Sequence, residues 1–561
     1  MDAMNNTGKR RMGDLLVEAG MMSASELAMA IEIQQSTGKK IGEIIVEKGW
    51  VSEQGILEVL EFQLGIPHVD LRRYRLDPKA TSLINETLAK RYMMIPLKSE
   101  NNTLQVAMSD PLNIFAIDDL KLITKMDIIP MIATPSDISR TINRIYGADK
   151  TQEIADQFKA TVPDIKMNIR GDMQDVANSP IVKFVDTVLD QAISRGASDI
   201  HIEPSESSIR IRLRIDGQMS ELLKTDVSAI NAITARIKIL SKLDISERRL
   251  PQDGRIQMIK DDEELDLRVS ILPTIHGEKT VIRILYRTGM QLSISQLGFY
   301  PKDEVKVRSL LKMPNGIILV TGPTGSGKST TLATALREIN DPSINIITVE
   351  DPVENMIEGI NQVAVNVKAG LTFASALRSI LRQDPDVIMV GEMRDLETSE
   401  IAIRSAITGH LVLSTLHTND ATSSITRLID MGSQSYMIGS SVRGVIAQRL
   451  MRKICLNCKQ IYKMTAEEHH LTKIPLEAMT YKGKGCQVCD HTGYKGRIGV
   501  HEVFVTDLHM QEIISKNILT SEELREEAVK GGMRTLQDNA RWNVMQGNTT
   551  VYEMLRITYE L

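Results

Sequence analysis

The chain has 561 residues, with 67 Lys and Arg against 72 Asp and Glu (net charge −5), 42% apolar residues and only 4% aromatic ones. At roughly 150 residues per domain this length predicts about four domains. The acidic balance and scarce aromatics argue against direct nucleic-acid binding, and no apolar run approaches the ~20 residues of a membrane span, so a cytoplasmic chain without membrane insertion is expected.

The N-terminal stretch is doubled. Residues 11–34 open with Arg11-Met12-Gly13 and continue through Leu16 to Gln34. Residues 40–63 repeat the pattern from Lys40-Ile41-Gly42 through Ile45 to Gln63, with five residues between the copies. Ser23 and Glu26 have capping-box spacing. Leu27, Ile31 and Gln34 fall at i, i+4 and i+7, which predicts one inner helix face with the glutamine at its edge. A mixed pattern follows: strands at Ile66–Val69 and Leu104–Met108, a helix at Phe115–Leu122, and Asp110 in a Ser-Asp-Pro turn or helix start. Residues 1–147 are read as one N-terminal domain rich in helical hairpins, and 148–176 as a polar linker.

Residues 177–290 form a middle α+β domain. An amphipathic helix (Ile181–Ala192) precedes a strand in Ala197–Pro204, and Ile209–Ile215 alternates strictly, with Arg210, Arg212 and Arg214 on one face before an Asp216-Gly217 hairpin turn. Arg255, Arg268 and Arg283 lie on later strands. Such rows are either a solvated face or a phosphate-facing one.

Residues 291–450 carry the phosphate chemistry. The β-branched run Gly316–Thr321 enters Gly322-Pro323-Thr324-Gly325-Ser326-Gly327-Lys328-Ser329-Thr330, the full G-x-x-x-x-G-K-S spacing between a strand and a helix. Glycines let backbone N–H groups converge on phosphate oxygens, Lys328 reaches the β- and γ-phosphates, and Ser329 is placed for Mg²⁺. Three further buried-type strands follow. Asn345–Glu354 ends in the carboxylates Glu350, Asp351 and Glu354, Asp384–Glu392 closes in Gly-Glu, and Gly409–Asn419 has His410 and His417 near its ends. Acids at the carboxyl ends of parallel strands face the nucleotide crevice.

All four cysteines fall in residues 451–500, as Cys455-x-x-Cys458 and Cys486-x-x-Cys489 with 27 residues between the pairs. That is the spacing of a structural Zn²⁺ site. Residues 501–561 read as helical, through Ser521–Val529 and Thr535–Met545.

The phosphate loop, the acidic segment Thr348–Glu354, the Gly-Glu strand and the histidine segment Gly409–Asp420, in this order, resemble the secretion-type ATPases of type II secretion and type IV pilus assembly. That resemblance covers roughly residues 176–561. It implies a RecA-like P-loop motor behind a PAS-like domain, in a homo-hexamer at an inner-membrane platform protein. It also implies that Glu392 polarises the attacking water, Glu354 or Glu350 supports the metal, and His417 senses the γ-phosphate. Arg255, Arg268 and Arg283 become candidates to reach a neighbouring subunit's nucleotide. The four-cysteine insert favours an extension or secretion motor over a retraction motor.

The doubled N-terminal motif is similar to that of assembly ATPases of mannose-sensitive haemagglutinin-type pili, which bind cyclic di-GMP. It implies contacts from Arg11, Met12, Gly13, Leu16, Gln34, Lys40, Ile41, Gly42, Ile45 and Gln63. Asp110 either caps a helix or accepts from a guanine edge. The second copy departs from the pattern by placing Lys40 where an arginine is expected, and lysine cannot form the bidentate contact. The expected function is ATP-driven pilus assembly under cyclic di-GMP control, with a type II secretion ATPase or a DNA-translocating motor as the alternatives.

Overall fold

The computed structural model describes residues 16–17, 21–37, 41–48, 50–51, 55, 66–71, 74, 76–111, 113–142, 145–146, 180–260, 263–286, 292–517 and 520–559. They fall into two units, Met1–Arg195 and Gly196–Leu561.

In the first unit the helix Ala24–Thr37 starts at the expected box: Ser23 N–H donates to Glu26 Oε2 (2.6 Å) and Glu26 N–H to Ser23 Oγ (3.3 Å). With the helix Ile41–Glu47 it closes a small core of Leu16, Met22, Ala30, Ile44, Ile45 and Val51. The inner face differs from the one predicted. Ala30 turns inward, with Leu27 and Ile33 packed beside it, while Ile31 is 38% exposed. The i, i+4, i+7 line is therefore tilted outward by about one residue, and its glutamine end sits at the surface margin.

Beyond it, β1 (Met94–Glu100) pairs antiparallel with β2 (Thr103–Met108), which runs parallel to β3 (Asp127–Ile132). Asn101 and Asn102, both left-handed (φ 47° and 62°), make the two-residue turn. The crossover helix Ile114–Thr124 is capped by Asn113, whose side chain accepts from Ala116 N–H; Asp110 is exposed and is not its cap. Ile66–Val69 is not a strand. It contributes a single bridge, His68 to Ile132, beside a proline that has no N–H to extend a ladder. The helix Pro180–Ser194 completes this unit.

The second unit opens with a six-stranded antiparallel sheet: β4 (Asp199–Pro204), β5 (Ser208–Ile215), β6 (Gln218–Asp226), β7 (Gln252–Lys260), β8 (Glu263–Thr274) and β9 (Gly277–Tyr286), in the order β6-β5-β4-β9-β8-β7. Along β5, Ile209, Ile211 and Leu213 are buried, and the three arginines take the opposite face, as alternation requires. The helix Ile230–Leu240 packs Ile230, Ile233 and Ile237 inward. Its fully buried Lys238 is neutralised by Glu278 at 2.7 Å.

The motor sheet comprises β10 (Gly316–Thr321), β11 (Ile346–Glu350), β12 (Asn361–Ala364), β13 (Val387–Val390), β14 (Leu411–Leu416) and β15 (Val442–Ile454). The cysteine module adds a hairpin of β16 (Lys459–Tyr462) and β17 (Thr480–Gly483) before the chain returns as β18 (Tyr494–Val505). The order is β12-β11-β13-β14-β10-β15-β18, parallel except for the antiparallel β15–β18 pair. Both faces are covered, so β10, β13 and β14 are buried along their whole length and read as unbroken apolar runs. One difference from expectation lies at residue 501. β18 runs through it to Val505, and only then do the C-terminal helices begin.

Candidate functional site

The phosphate loop is built by three glycines at left-handed φ (Gly322 151°, Gly325 80°, Gly327 90°) between β10 and the helix Lys328–Ile339. Space as well as φ fixes two of them. A Cβ on Gly322 would collide with the Gln448 carbonyl, and one on Gly327 would lie 2.8 Å from Gln448 Nε2. Pro323, Thr324, Gly325 and Ser329 are exposed, and Thr330 follows in the first helical turn.

Gln448, on β15, is 3% exposed and grips the loop from beneath. Its Nε2 donates to Ser326 O (2.7 Å), and its Oε1 accepts from Thr331 Oγ1 (2.6 Å). Lys328 Nζ lies across the loop on the carbonyls of Gly322 (2.8 Å) and Pro323 (3.1 Å). Burial pushes its pKa below the ordinary lysine value and the nearby Arg449 acts the same way, while Glu392 and Glu354 oppose them.

Glu392 follows β13, and His417 follows its neighbour β14. The two strand ends are stitched together by Ser414 Oγ to Val390 O and Thr415 Oγ1 to Gly391 O, both 2.7 Å. This brings His417 Nε2 to 3.3 Å from Glu392 Oε1. The other carboxylate oxygen accepts from Arg394 Nε at 2.6 Å. Arg394, which also lies 3.9 Å from Asp351, escaped the sequence reading; its only signal was its position two residues past the glutamate.

Glu350, at the end of β11, accepts from Thr348 Oγ1 (2.7 Å) and Gln362 Nε2 (3.0 Å), so its carboxylate already serves the scaffold. Glu354 is exposed beyond it. His410 sits at the opposite end of β14, on Ser405 O, away from this group.

The middle-domain arginines stand in register: Arg255 faces Arg268, Arg268 faces Arg283, and Arg283 faces Asp199 across four strands. Arg255 pairs with Asp266, and Arg283 Nε with Asp199 at 2.9 Å. Of the residues implicated in cyclic di-GMP binding, Leu16, Gln34, Ile41, Gly42, Ile45 and Asp110 are described. Arg11, Met12, Gly13, Lys40 and Gln63 lie outside the described residues.

The four cysteine sulfurs lie within 4.8 Å of one another, with pairs at 3.7, 3.8 and 3.9 Å. A tetrahedron with Zn–S bonds of about 2.3 Å has edges of about 3.8 Å, so the cage fits that ion. Gly485 N–H donates to Cys458 Sγ, Gly493 N–H to Cys489 Sγ and Asn457 Nδ2 to Cys486 Sγ, as thiolates require. Burial pushes the Cys455 and Cys458 thiols up, the latter to about 11. At Cys486 the hydrogen bonds, led by Asn457, outweigh burial and hold the thiol below its usual value. A bound cation would supply the charge that keeps all four deprotonated.

A profile described as "Type II/IV secretion system protein" matches residues 174–556. The chain belongs to the type II/IV secretion system protein family. With its complete phosphate loop and the Glu392–His417 pair, it is a secretion-type ATPase. A second profile, the MshEN domain, matches residues 64–152, immediately after the doubled motif. The chain is 40% identical to the type IV pilus assembly ATPase PilB of Myxococcus xanthus, over 97% of this chain and 98% of that one. It is 39% identical to the type II secretion system protein E of Xanthomonas campestris, over 98% and 99%. The ATPase DotB of Legionella pneumophila shares the fold at 22% identity, with a TM-score of 0.51 over 68% of this chain and 96% of that one. In this secretion-type ATPase the motor sheet is RecA-like. No helix among the described residues is long and apolar enough to cross a membrane.

Proposed function

We propose that this chain drives assembly of a type IV pilus of the mannose-sensitive haemagglutinin type. It would work as a cytoplasmic homo-hexamer at an inner-membrane platform protein and answer to cyclic di-GMP at its N-terminal domain. The observation that carries the hydrolytic part is the convergence of Lys328, Glu392 and His417 at the carboxyl ends of three adjacent parallel strands. ATP would place its phosphates on the loop amides, with Mg²⁺ held by Ser329 and supported by Glu354 or Glu350. Glu392 would orient water as an anion, His417 would sense the γ-phosphate, and the row of Arg255, Arg268 and Arg283 would be offered to a neighbouring subunit. Zn²⁺ on the four cysteines would be structural.

Two features support the regulatory part. The surface-facing Ile31 shares a helix face with Gln34, and the MshEN match adjoins the repeat. A twofold ligand suits a doubled motif, with Arg11 forking onto one guanine or phosphate. The relatives of both kinds match almost equally, so a type II secretion ATPase is the second reading.

The deciding experiment titrates purified full-length protein with cyclic di-GMP while ATP turnover is followed. Lys328→Ala should abolish turnover and leave dinucleotide affinity intact, whereas Arg11→Ala should weaken that affinity by ~1–3 kcal/mol. Equal loss of both functions in Lys328→Ala would disprove separate sites, and an unchanged calorimetric affinity in Arg11→Ala would remove the ligand from this account.

A further inference from the structure

β18 carries a carboxylate that the nucleotide chemistry does not use. Glu502 is 0% exposed and faces Ala447 of β15 in the ladder. Its Oε1 accepts the Ala421 N–H at 2.9 Å. Its Oε2 accepts from Leu536 N–H (3.3 Å), at the first residue of the helix Leu536–Met545, and lies 3.4 Å from Arg525 Nη2 of the helix Ser521–Lys530. Arg525 then brings Nη1 to 3.7 Å from Asp420 Oδ2. The other oxygen of Asp420 holds the next helix start, accepting Ser423 N–H (2.8 Å) and the Thr422 hydroxyl (3.0 Å).

The loop between His417 and Ser423 is thus gripped from two sides. On one, Thr418 N–H donates to Thr321 Oγ1 at 3.0 Å, and the two hydroxyls meet at 2.6 Å, directly before the phosphate loop. On the other stand Glu502 and Arg525, which answer to the C-terminal helices. A buried carboxylate is retained only where charge and N–H donors compensate it, and here those donors come from segments far apart in sequence.

We propose that Glu502 and Arg525 are positioning residues for ATP hydrolysis. They tie the loop that follows His417 to the C-terminal helices, so that a displacement of those helices shifts His417 against Glu392. This rests on the reading of Glu392 and His417 as the groups that act on ATP. Glu502 acts through the Ala421 N–H, and Arg525 through the Asp420 carboxylate.

The test uses full-length Arg525→Ala, at a side chain that is 34% exposed. Glu502→Gln, which puts an amide donor where donors already converge, serves as the second variant. The expected result is a fall in kcat of about tenfold or more in both, measured well below the melting temperature, with MgADP affinity unchanged. Some loss of melting temperature accompanies it, because either change leaves a buried group at Glu502 less well compensated. Arg525→Lys, which keeps a cation near Asp420, should recover much of the lost turnover. An unchanged kcat in Arg525→Ala while wild type turns over overturns the latch alone. So does a loss of kcat matched by an equal loss of MgADP affinity, which marks a merely structural role. Absence of turnover in wild type overturns the underlying reading and the latch with it.

Discussion

Gln448 shows how much of a phosphate site can lie outside its motif. One amide satisfies Ser326 O and Thr331 Oγ1 together and lies against Gly327, while the backbone carbonyl of the same residue lies against Gly322. Gln448→Ala would leave Ser326 O without its donor and open space beneath the loop. The expected effect is about a tenfold loss of nucleotide affinity, from one buried hydrogen-bond pair worth about 1–1.5 kcal/mol, with zinc content unchanged; calorimetry with MgADP reads it directly. Lys328 and Ser329 were legible in the sequence because the phosphate loop is a local spacing, with Lys328 bonded to carbonyls five and six residues away, and Glu392 because it closes a buried-type strand. Gln448 was not, because its contact with Ser326 spans 122 residues and no local spacing announces it. Arg394 lies between these cases. It is close in sequence to Glu392, yet nothing in its residue type distinguishes an ion-paired arginine from a solvated one.

At the scale of single elements, alternation and β-branched runs located β4 and β5 of the middle domain and β10, β11, β13 and β14 of the motor, but not β12, β15 or β18. The turn chemistry of Asp216-Gly217 was read correctly for the same local reason: both residues adopt left-handed φ, 48° and 83°. Reading failed where tertiary packing decided. Ile31 turned outward because Ala30 fits the closely packed hairpin, and β18 outran the expected boundary because its partner β15 is long enough to hold it. β18 also carries His501, shut away from water and stacked on Phe299 at 3.8 Å between ring centroids. Burial lowers its pKa from 6.5 to about 3. Between those values the unfolded chain binds a proton that the folded chain refuses. This residue's contribution therefore destabilises the fold progressively as pH falls below 6.5, and its effect is complete near pH 3. At pH 5 the cost is about 2 kcal/mol, at roughly 1.4 kcal/mol per pH unit. His501→Leu should melt at a relatively higher temperature at pH 5 than at pH 7 when each is compared with wild type; a pH-independent difference would contradict this.

At the scale of the molecule, sequence alone separated a doubled N-terminal motif, an arginine-bearing sheet, a P-loop motor and a cysteine module. It could not foresee how the module joins the motor. β15 pairs with β10 over Ile317–Thr321, grips the phosphate loop through Gln448, and then delivers Cys455. Its far half is fixed to the last helix, where Glu553 accepts Arg452 N–H (2.9 Å) and pairs with its guanidinium (2.6 Å). Chelation should release about one Zn²⁺ per chain and expose residues 455–493 to proteolysis, because a site of this kind contributes on the order of 10 kcal/mol to folding its module. Recovery of no zinc from freshly purified protein would refute the cage.

The continuity of β15 carries a mechanical consequence. From Gln448 to Cys455 is seven residues of extended chain, about 23 Å at 3.3 Å per residue, broken only by one shift of register against β18 between Arg452 and Ile454. The four-cysteine knuckle and the floor of the phosphate cradle are two ends of one splint. A chelator would therefore inactivate the motor slowly and at a distance, on the clock of metal departure rather than by competing for the nucleotide's place.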